Sequence, residues 1–250
     1  MLELETWQWV LAGLGAMAVG VAKTGIGGLG MLAVVIFANL LPAKQSAGFV
    51  LPMLIMADIV AVLTYRRHAQ WSLLWRLFPW TALGVFLGFL TMGRINNQQA
   101  GLLIGIIVLA LLGLHIGRQA RVKTEEPEHA WWFAPAIGVM AGFTTLVANA
   151  AGPLMVIYLL AMRLPKMEYM GTGAWYFLLM NLFKVPFMIH LGLVSAESFT
   201  GNLMLLPAVL LGTLIGWLVL RKINQKVFET LALLLSFVAG LNLLYQSWRG

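Results

Sequence analysis

Residues 46–65 read SAGFVLPMLIMADIVAVLTY, an apolar run with a single charged side chain, Asp58. A helix needs roughly 20 mostly apolar residues to cross the hydrocarbon core of a bilayer, and this run has that length. Comparable runs follow along the chain at 77–93, 99–117, 169–189, 202–220 and 227–245. The sequence therefore predicts an all-α integral membrane protein, built as a polytopic helical bundle.

The overall composition agrees with this class of protein. Hydrophobic residues make up 61% of the 250 residues and charged residues 10%, whereas a soluble domain carries about 25% charged residues. The net charge is +7, but the basic residues are spread over several loops, so we expect a lipid bilayer and no nucleic acid as partner. The chain has no cysteine, its histidines lack metal-ligand spacing, and no nucleotide-binding motif occurs. We therefore predict no metal and no cofactor, and the oligomeric state stays open.

Two further apolar stretches are longer than one span, and each is interrupted. Stretch 7–41 is interrupted at 23–28, which reads Lys-Thr-Gly-Ile-Gly-Gly. Stretch 131–162 is interrupted at the pair Thr144-Thr145 and again at 149–153, which reads Asn-Ala-Ala-Gly-Pro. Each stretch is expected to form either two short spans or a re-entrant hairpin, and the sequence leaves both possibilities open.

The two halves of the chain resemble each other in an ordered series of matches. Gly20 and Gly30 match Gly142 and Gly152 at a spacing of 122, Gly48 matches Gly171 at 123, and Pro79, Gly84 and Gly88 match Pro207, Gly212 and Gly216 at 128. This series predicts a first membrane repeat at 1–117, a cytoplasmic linker at 118–130 and a second membrane repeat at 131–250.

The distribution of lysine and arginine predicts the orientation. With the N-terminus outside, the inside loops hold Arg66, Arg67, Arg76, Arg118, Arg121, Lys123, Arg163, Lys166, Arg221, Lys222 and Lys226. The outside loops keep Lys44, Arg94 and Arg249, and an excess of this kind marks the cytoplasmic side. Both termini are therefore predicted outside. Matching loops of the two halves fall on opposite sides, so the repeats are predicted to have inverted topology, a common build of secondary transporters.

Three charged residues lie inside apolar segments: Lys23, Asp58 and Lys184. Each costs at least about 2.5 kcal/mol at this depth, which favours a functional role. The first interruption frees backbone N–H groups that suit an oxyanion, so Lys23, Thr24, Gly25, Gly27 and Gly28 are candidate substrate-binding residues. The alternative is a tight packing turn, with Lys23 extending to the inner interface.

The second half offers a matching set of polar side chains. Thr145 supplies a hydroxyl and Asn149 an amide at the second interruption, although a plain kink at Pro153 is the alternative. Asn181 and Lys184 are three residues apart, so they share one helix face. We predict Lys184 as an anion ligand and Asp58 as a proton carrier or counter-ion. A buried structural pair of Asp58 with one lysine is the competing interpretation.

Several of these motifs occur together in an order that resembles one family. They are the Lys-Thr-Gly-Ile-x-Gly-Leu-Gly run at 23–30, the Leu-Pro loop with Lys44, Gly48, the run that ends at Asp58, Tyr65-Arg66-Arg67-His68-Ala69, Pro79, the Gly84/Gly88 pair and Asn181-x-x-Lys184. Over essentially the whole chain this pattern is similar to the TauE/SafE family of membrane transporters.

The resemblance implies a secondary transporter of small sulfur-containing anions such as sulfite, sulfonates or sulfoacetate. It also implies export across the bacterial inner membrane as the common direction, and it carries over best to Lys23, Thr24, Gly25, Gly27, Gly28, Asp58, Asn181 and Lys184. One alternative is an anion channel. The other is a membrane assembly or scaffold protein, but charged residues inside the membrane would have no purpose in such a protein. An enzyme is not predicted, because Asp58 stands alone where a hydrolase needs several acidic or histidine side chains.

The predicted orientation can be tested by labelling single cysteines, since the native chain has none. A cysteine placed in 118–130 should react with a membrane-impermeant thiol reagent only after the cells are permeabilised. A cysteine placed near the N-terminus should react in intact cells. Labelling of the 118–130 cysteine in intact cells would contradict the orientation.

Overall fold

A computed structural model describes residues 5–25, 29–41, 43–92 and 131–249, together with scattered positions between 94 and 113. Within these residues the long elements are all α-helices. In chain order they are α1 (Thr6–Thr24), α2 (Gly30–Leu40), α3 (Ala43–Tyr65), α4 (Trp71–Thr91), α5 (Phe133–Ala148), α6 (Gly152–Ala161), α7 (Lys166–His190), α8 (Ala196–Lys222) and α9 (Gln225–Arg249). A short 3₁₀ turn, Arg66–His68, joins α3 to α4.

Four helices in the described part of the chain are long and apolar enough to cross a membrane. They cover Gln45–His68, Trp71–Thr91, Lys166–His190 and Ser198–Lys222. The helices Phe133–Ala148 and Gly152–Ala161 are apolar but shorter. The predicted runs 46–65, 169–189, 202–220 and 227–245 lie within helices, and residues 77–91 of the run 77–93 lie within α4, which makes the chain a multi-pass helical membrane protein.

The two interrupted stretches each form a pair of short helices. A Cβ added to Gly15 would contact Phe37, and one added to Gly30 would contact Ala22, so α2 runs back along α1. In the second stretch the rings of Phe133 and Tyr158 are stacked with centroids 6.0 Å apart, so the start of α5 lies beside the end of α6. Each pair therefore turns back on itself at its interruption.

Glycines set the closest helix contacts of the bundle. A Cβ on Gly20 of α1 would overlap the carbonyl oxygen of Val209, and one on Gly212 of α8 would overlap that of Met17. The same relation joins α4 and α5, where a Cβ on Gly84 would overlap Val139 O and one on Gly142 would overlap Thr81 O. Only a residue without a side chain lets these backbones approach so closely, which is how helices pack in a bilayer.

Helices α3 and α7 run antiparallel along their whole length through the middle of the bundle. Gly48 lies against the backbone of Leu193 at one end, and Gly171 lies against Tyr65 O at the other. Between them the Asn181 side chain donates a hydrogen bond of 2.6 Å from Nδ2 to Oδ2 of Asp58. This central helix pair places the two polar residues beside each other.

Lys166 joins three helices at the end of the bundle where α7 begins. Its Nζ donates to the carbonyl oxygens of Leu220, at 2.9 Å, and Ile223, at 2.6 Å, which lie at the end of α8. Its backbone N–H donates to Oε1 of Gln225, the first residue of α9, at 2.7 Å. The lysine therefore satisfies carbonyl groups that a helix end leaves without partners.

The structure corrects one predicted interruption. Helix α5 does not break at Thr144-Thr145 but continues to Ala148, because the Thr144 hydroxyl donates to Ala141 O one turn back and leaves the helix intact. The break lies at 149–151, and Pro153 stands at the start of α6, where its missing N–H costs nothing. Residues 26–28, the linker 118–130 and most of the predicted span 99–117 lie outside the described residues.

The glycine contacts predict a large effect from one methyl group. Gly142→Ala should destabilise the protein by about 1–3 kcal/mol, because its Cβ has no space beside Thr81 O. The melting temperature in detergent should fall by about 2–4 °C for each kcal/mol lost.

Gly13→Ala is the matched control, because nothing lies within 4 Å of the added Cβ and alanine favours a helix. Equal melting temperatures for the two variants would show that the contact between α4 and α5 is looser than described.

Candidate functional site

A cavity of about 80 Å³ lies between the two helix pairs and the central helices α3 and α7. A water molecule needs only ~10–15 Å³ of such space, so the cavity has room for a small polyatomic ion. Its polar lining residues are Lys23, Thr145, Asn149 and Asn181. The remaining lining residues are apolar or glycine, apart from the phenol of Tyr169, as in most small-molecule sites.

Lys23 and Asp58 form a buried ion pair beside this cavity. The distance from Nζ to Oδ1 is 2.8 Å, and the side chain of Asp58 is fully buried whereas that of Lys23 is 11% exposed. The ammonium also lies 3.9 Å from the ring centroid of Phe177, a cation–π contact. Asp58 is therefore held by Lys23 on one oxygen and by Asn181 on the other, while Lys23 still faces the cavity.

Lys184 is fully buried and has neutral partners. Its Nζ donates to Thr145 O at 3.0 Å, to Thr145 Oγ1 at 3.1 Å and to Asn149 Oδ1 at 2.7 Å. An ammonium has three N–H donors, so these bonds use all of them. Among the described residues, the site thus contains two basic side chains and one acidic side chain, a formal charge of +1.

Asn149 links the second interruption to both central helices. It adopts a left-handed backbone conformation at the end of α5, with φ 53° and ψ 30°, which asparagine tolerates better than most residues. Its side-chain oxygen accepts from Lys184 of α7, and its Nδ2 donates to Ala47 O of α3 at 2.9 Å. The break in the helix is therefore fixed from two sides by one amide.

The N-terminal ends of both short helices border the same cavity. Gly30, the first residue of α2, and Gly152, the first residue of α6, are among its lining residues. The first N–H groups of a helix have no partner within it and carry a partial positive charge. The ends of two helices and the two lysines therefore give this region a positive potential.

The predicted site residues divide into three groups. The structure brings Lys23, Asp58, Thr145, Asn149, Asn181 and Lys184 together around the cavity. Thr24 and Gly25 instead face α8, where the Thr24 hydroxyl donates to Thr213 O at 2.7 Å and Gly25 lies against Gly216. Gly27 and Gly28 lie outside the described residues.

Two features of the site were missed by sequence reasoning. Phe177 covers Lys23, and its position one helical turn before Asn181 was a signal that could have found it. The carbonyl oxygen of Ala47, which fixes Asn149, gave no signal, because every residue has such a group. Among the described residues, no three His, Asp or Glu side chains come together as metal ligands.

These features define a class of protein: a multi-pass membrane protein with a buried, positively charged cavity between interrupted helices. A comparison with protein families matches residues 12–243 to the family described as sulfite exporter TauE/SafE, and the chain belongs to this family. It is a family of membrane transporters for sulfite and related sulfur anions, so the resemblance found in the sequence is confirmed. Comparisons with curated proteins and with solved structures gave no match.

The buried ion pair predicts a non-additive effect of mutation on stability. Asp58→Asn should destabilise the protein by about 3–5 kcal/mol, because it leaves the charge of Lys23 without its partner. Lys23→Met combined with Asp58→Asn should recover much of this loss, since both charges are then absent. The melting temperatures of the two single variants and the double variant measure the coupling.

Glu168→Gln is the matched control for this cycle, because Glu168 is a half-buried carboxylate whose partner is the neutral Gln70. It should have a small effect. Additive losses for Asp58→Asn and Lys23→Met would contradict the ion pair.

Proposed function

We propose that the protein is a secondary transporter that carries small sulfur-containing monoanions, of the sulfite and sulfonate class, across the cytoplasmic membrane. The observation that carries this proposal is that two buried lysines and only one aspartate lie beside the cavity, a formal charge of +1. A lone charge at this depth is costly unless a counter-ion offsets it, so an anion with one negative charge is the matching ligand. Export is the direction that the family resemblance favours.

The arrangement of donors supports an oxyanion as the ligand. Lys23 lines the cavity, and its ion pair with Asp58 leaves N–H donors that can reach a bound ion. The first residues of α2 and α6 border the same space, and helix N-termini bind sulfate-like and phosphate-like oxyanions through their free N–H groups. Lys184 bonds Thr145 and Asn149, which line the cavity, and it is not a lining residue itself. It therefore contributes its charge without direct contact with the bound ion.

The proposal includes two inverted-topology repeats, 1–117 and 131–250, in which the interrupted stretches are re-entrant hairpins. The glycine contacts support this arrangement. Gly20 contacts Val209, and the residues that correspond to them at the repeat spacings of 122 and 128, Gly142 and Thr81, contact each other in the same way. The antiparallel helices α3 and α7 support it too, because the hairpins that precede them then enter from opposite sides. Transporters of this build bind their solute near the midplane, between the repeats.

The proposed orientation places both termini outside and 118–130 in the cytoplasm. Its support is the excess of lysine and arginine in the loops assigned to the inside. In this orientation α5 and α6 enter from the cytoplasm, whereas α1 and α2 enter from the outside.

The same geometry supports proton coupling through Asp58. An anion that binds Lys23 competes with Asp58 for the same ammonium group. A carboxylate released in this way would remain buried with Asn181 as its partner, and a proton taken up from water neutralises it. One anion and one proton would then cross together, so that the transport cycle moves no net charge. In the export direction the outward concentration gradient of the anion would drive this cycle, because the proton gradient opposes it.

The substrate class and the role of Lys184 can be tested with purified protein. Lys184→Gln removes the uncompensated charge but keeps a donor, so the affinity for the transported anion should fall at least tenfold, about 1.4 kcal/mol. Sulfite, methanesulfonate, sulfoacetate and sulfate are the probes for binding, and the monoanions should bind more tightly than sulfate. Uptake into proteoliposomes against a concentration gradient, driven by an imposed pH gradient, separates a transporter from an anion channel.

Lys166→Gln is the matched control, because Lys166 lies on the same helix but its ammonium binds the end of α8. This variant should lower stability and leave anion affinity unchanged. A stable Lys184→Gln protein that binds every anion as well as the wild type would contradict the proposed site.

A further inference from the structure

The lining of the cavity is largely symmetric under the repeat. Six pairs of lining residues are related by the repeat spacing of 122 or 123: Lys23 and Thr145, Gly30 and Gly152, Ala33 and Met155, Val34 and Val156, Val50 and Gly173, and Leu54 and Phe177. Both members of each pair face the same space. The symmetric part of the cavity therefore lies where the two halves meet.

Both halves also contribute lining residues without a lining counterpart: Val19 and Ala22 in the first half, and a larger group in the second half. Leu159, Tyr169, Met170 and Ala174 line an extension of the cavity toward the end of the bundle where α7 begins. Their counterparts in the first half are Phe37, Ser46, Ala47 and Leu51, which are buried and do not line the cavity. They lie toward the end of the bundle where α3 begins, which is the predicted outer side. We refer to these four counterparts as the outer route.

Three consecutive residues of α3 are held by three different elements at the outer route. Ala47 O accepts from Asn149 at the second interruption, Gly48 packs on Leu193, and Phe49 O accepts from Nδ2 of Asn202 of α8 at 2.8 Å. These contacts close the bundle between the cavity and the predicted outer side.

We propose that the transported anion crosses the outer half of the membrane along the outer route, and that the Asn149 side chain holds this route closed. The inference rests on the proposed function, because it applies the inverted repeat to the cavity. When the two halves exchange conformations, as in alternating access, the extension of the cavity moves from Tyr169 and Ala174 to Ser46 and Leu51.

The sequence explains why the closed side is the outer one. Asn149 aligns with Gly27 of the first half, and glycine has no side chain with which to hold the residue that corresponds to Ala47, Met170. Gly27 therefore has no side chain that could make an equivalent of the hydrogen bond from Asn149 to Ala47 O. The substitution Asn149→Gly introduces the residue of the first half. It keeps the left-handed backbone conformation accessible and removes the bond to Ala47 O together with the bond that the side chain accepts from Lys184.

The experiment measures cysteine accessibility in the otherwise cysteine-free chain. Leu51→Cys reports the outer route and Ala174→Cys reports its inner counterpart, and a membrane-impermeant thiol reagent is applied to sealed vesicles of each orientation. In the Asn149→Gly background, Leu51→Cys should react at least about fivefold faster from the outer side, because the bond to Ala47 O alone, at about 1 kcal/mol, shifts a two-state equilibrium by that factor. Ala174→Cys should react more slowly from the inner side.

Two controls separate opening of the route from loosening of the fold. Ala61→Cys is fully buried between α3 and α7 outside the cavity and should stay unreactive. Asn224→Gly removes an asparagine that accepts from the Val227 N–H at the start of α9, and it should leave the labelling of Leu51→Cys unchanged.

An unchanged rate for Leu51→Cys in the Asn149→Gly background would overturn the inference, and so would an equal rise for Ala61→Cys. No anion is added in these measurements, so an incorrect substrate class would leave the labelling pattern intact. Conversely, the expected labelling in a protein that transports no sulfur anion would refute the proposed substrate and not the outer route.

Discussion

The neutralisation of charge within the bilayer is the constraint on which the rest of this structure depends. Two ammonium groups and one carboxylate are buried at a depth where each charge is costly. The fold meets this cost by bringing Asp58 to Lys23 and by giving every N–H of Lys184 an oxygen acceptor. Both solutions require that the broken helices end beside α3 and α7. The position of the breaks in the helices therefore determines which polar groups meet at the site.

Backbone contacts between glycines make that arrangement possible. Gly20 and Gly142 let α1 and α5 approach α8 and α4 at van der Waals distance. The short helices are therefore held on the side away from the cavity chiefly by packing, with the hydrogen bond from Thr24 to Thr213 O beside it. Most polar side chains of these helices are thus left free to face the cavity. A bundle held together by polar contacts between these outer helices would have fewer groups left for an anion.

Much of the fold could be predicted from the sequence, because apolar runs of membrane-spanning length and breaks at glycine and proline are local signals. The site was harder to predict. Lys23 and Thr24 are neighbours in sequence, but adjacent residues of a helix point about 100° apart, so Lys23 faces the cavity and Thr24 faces α8. The same geometry separates Thr144, which bonds within its own helix, from Thr145, which accepts from Lys184. Which lysine pairs with Asp58 depended on long-range packing, and the sequence left both choices open.

The contacts of Lys166 have a consequence for how the bundle deforms. One side chain and its own backbone N–H connect the beginning of α7, the end of α8 and the beginning of α9. These helix ends cannot separate without breaking several hydrogen bonds at once. We therefore expect the three helices to move together at this end. Relative motion must then be taken up elsewhere. The short stretch between α5 and α6 is held to α3 and α7 by the side chain of Asn149, so the loss of these hydrogen bonds would free it as a hinge for the helices on either side.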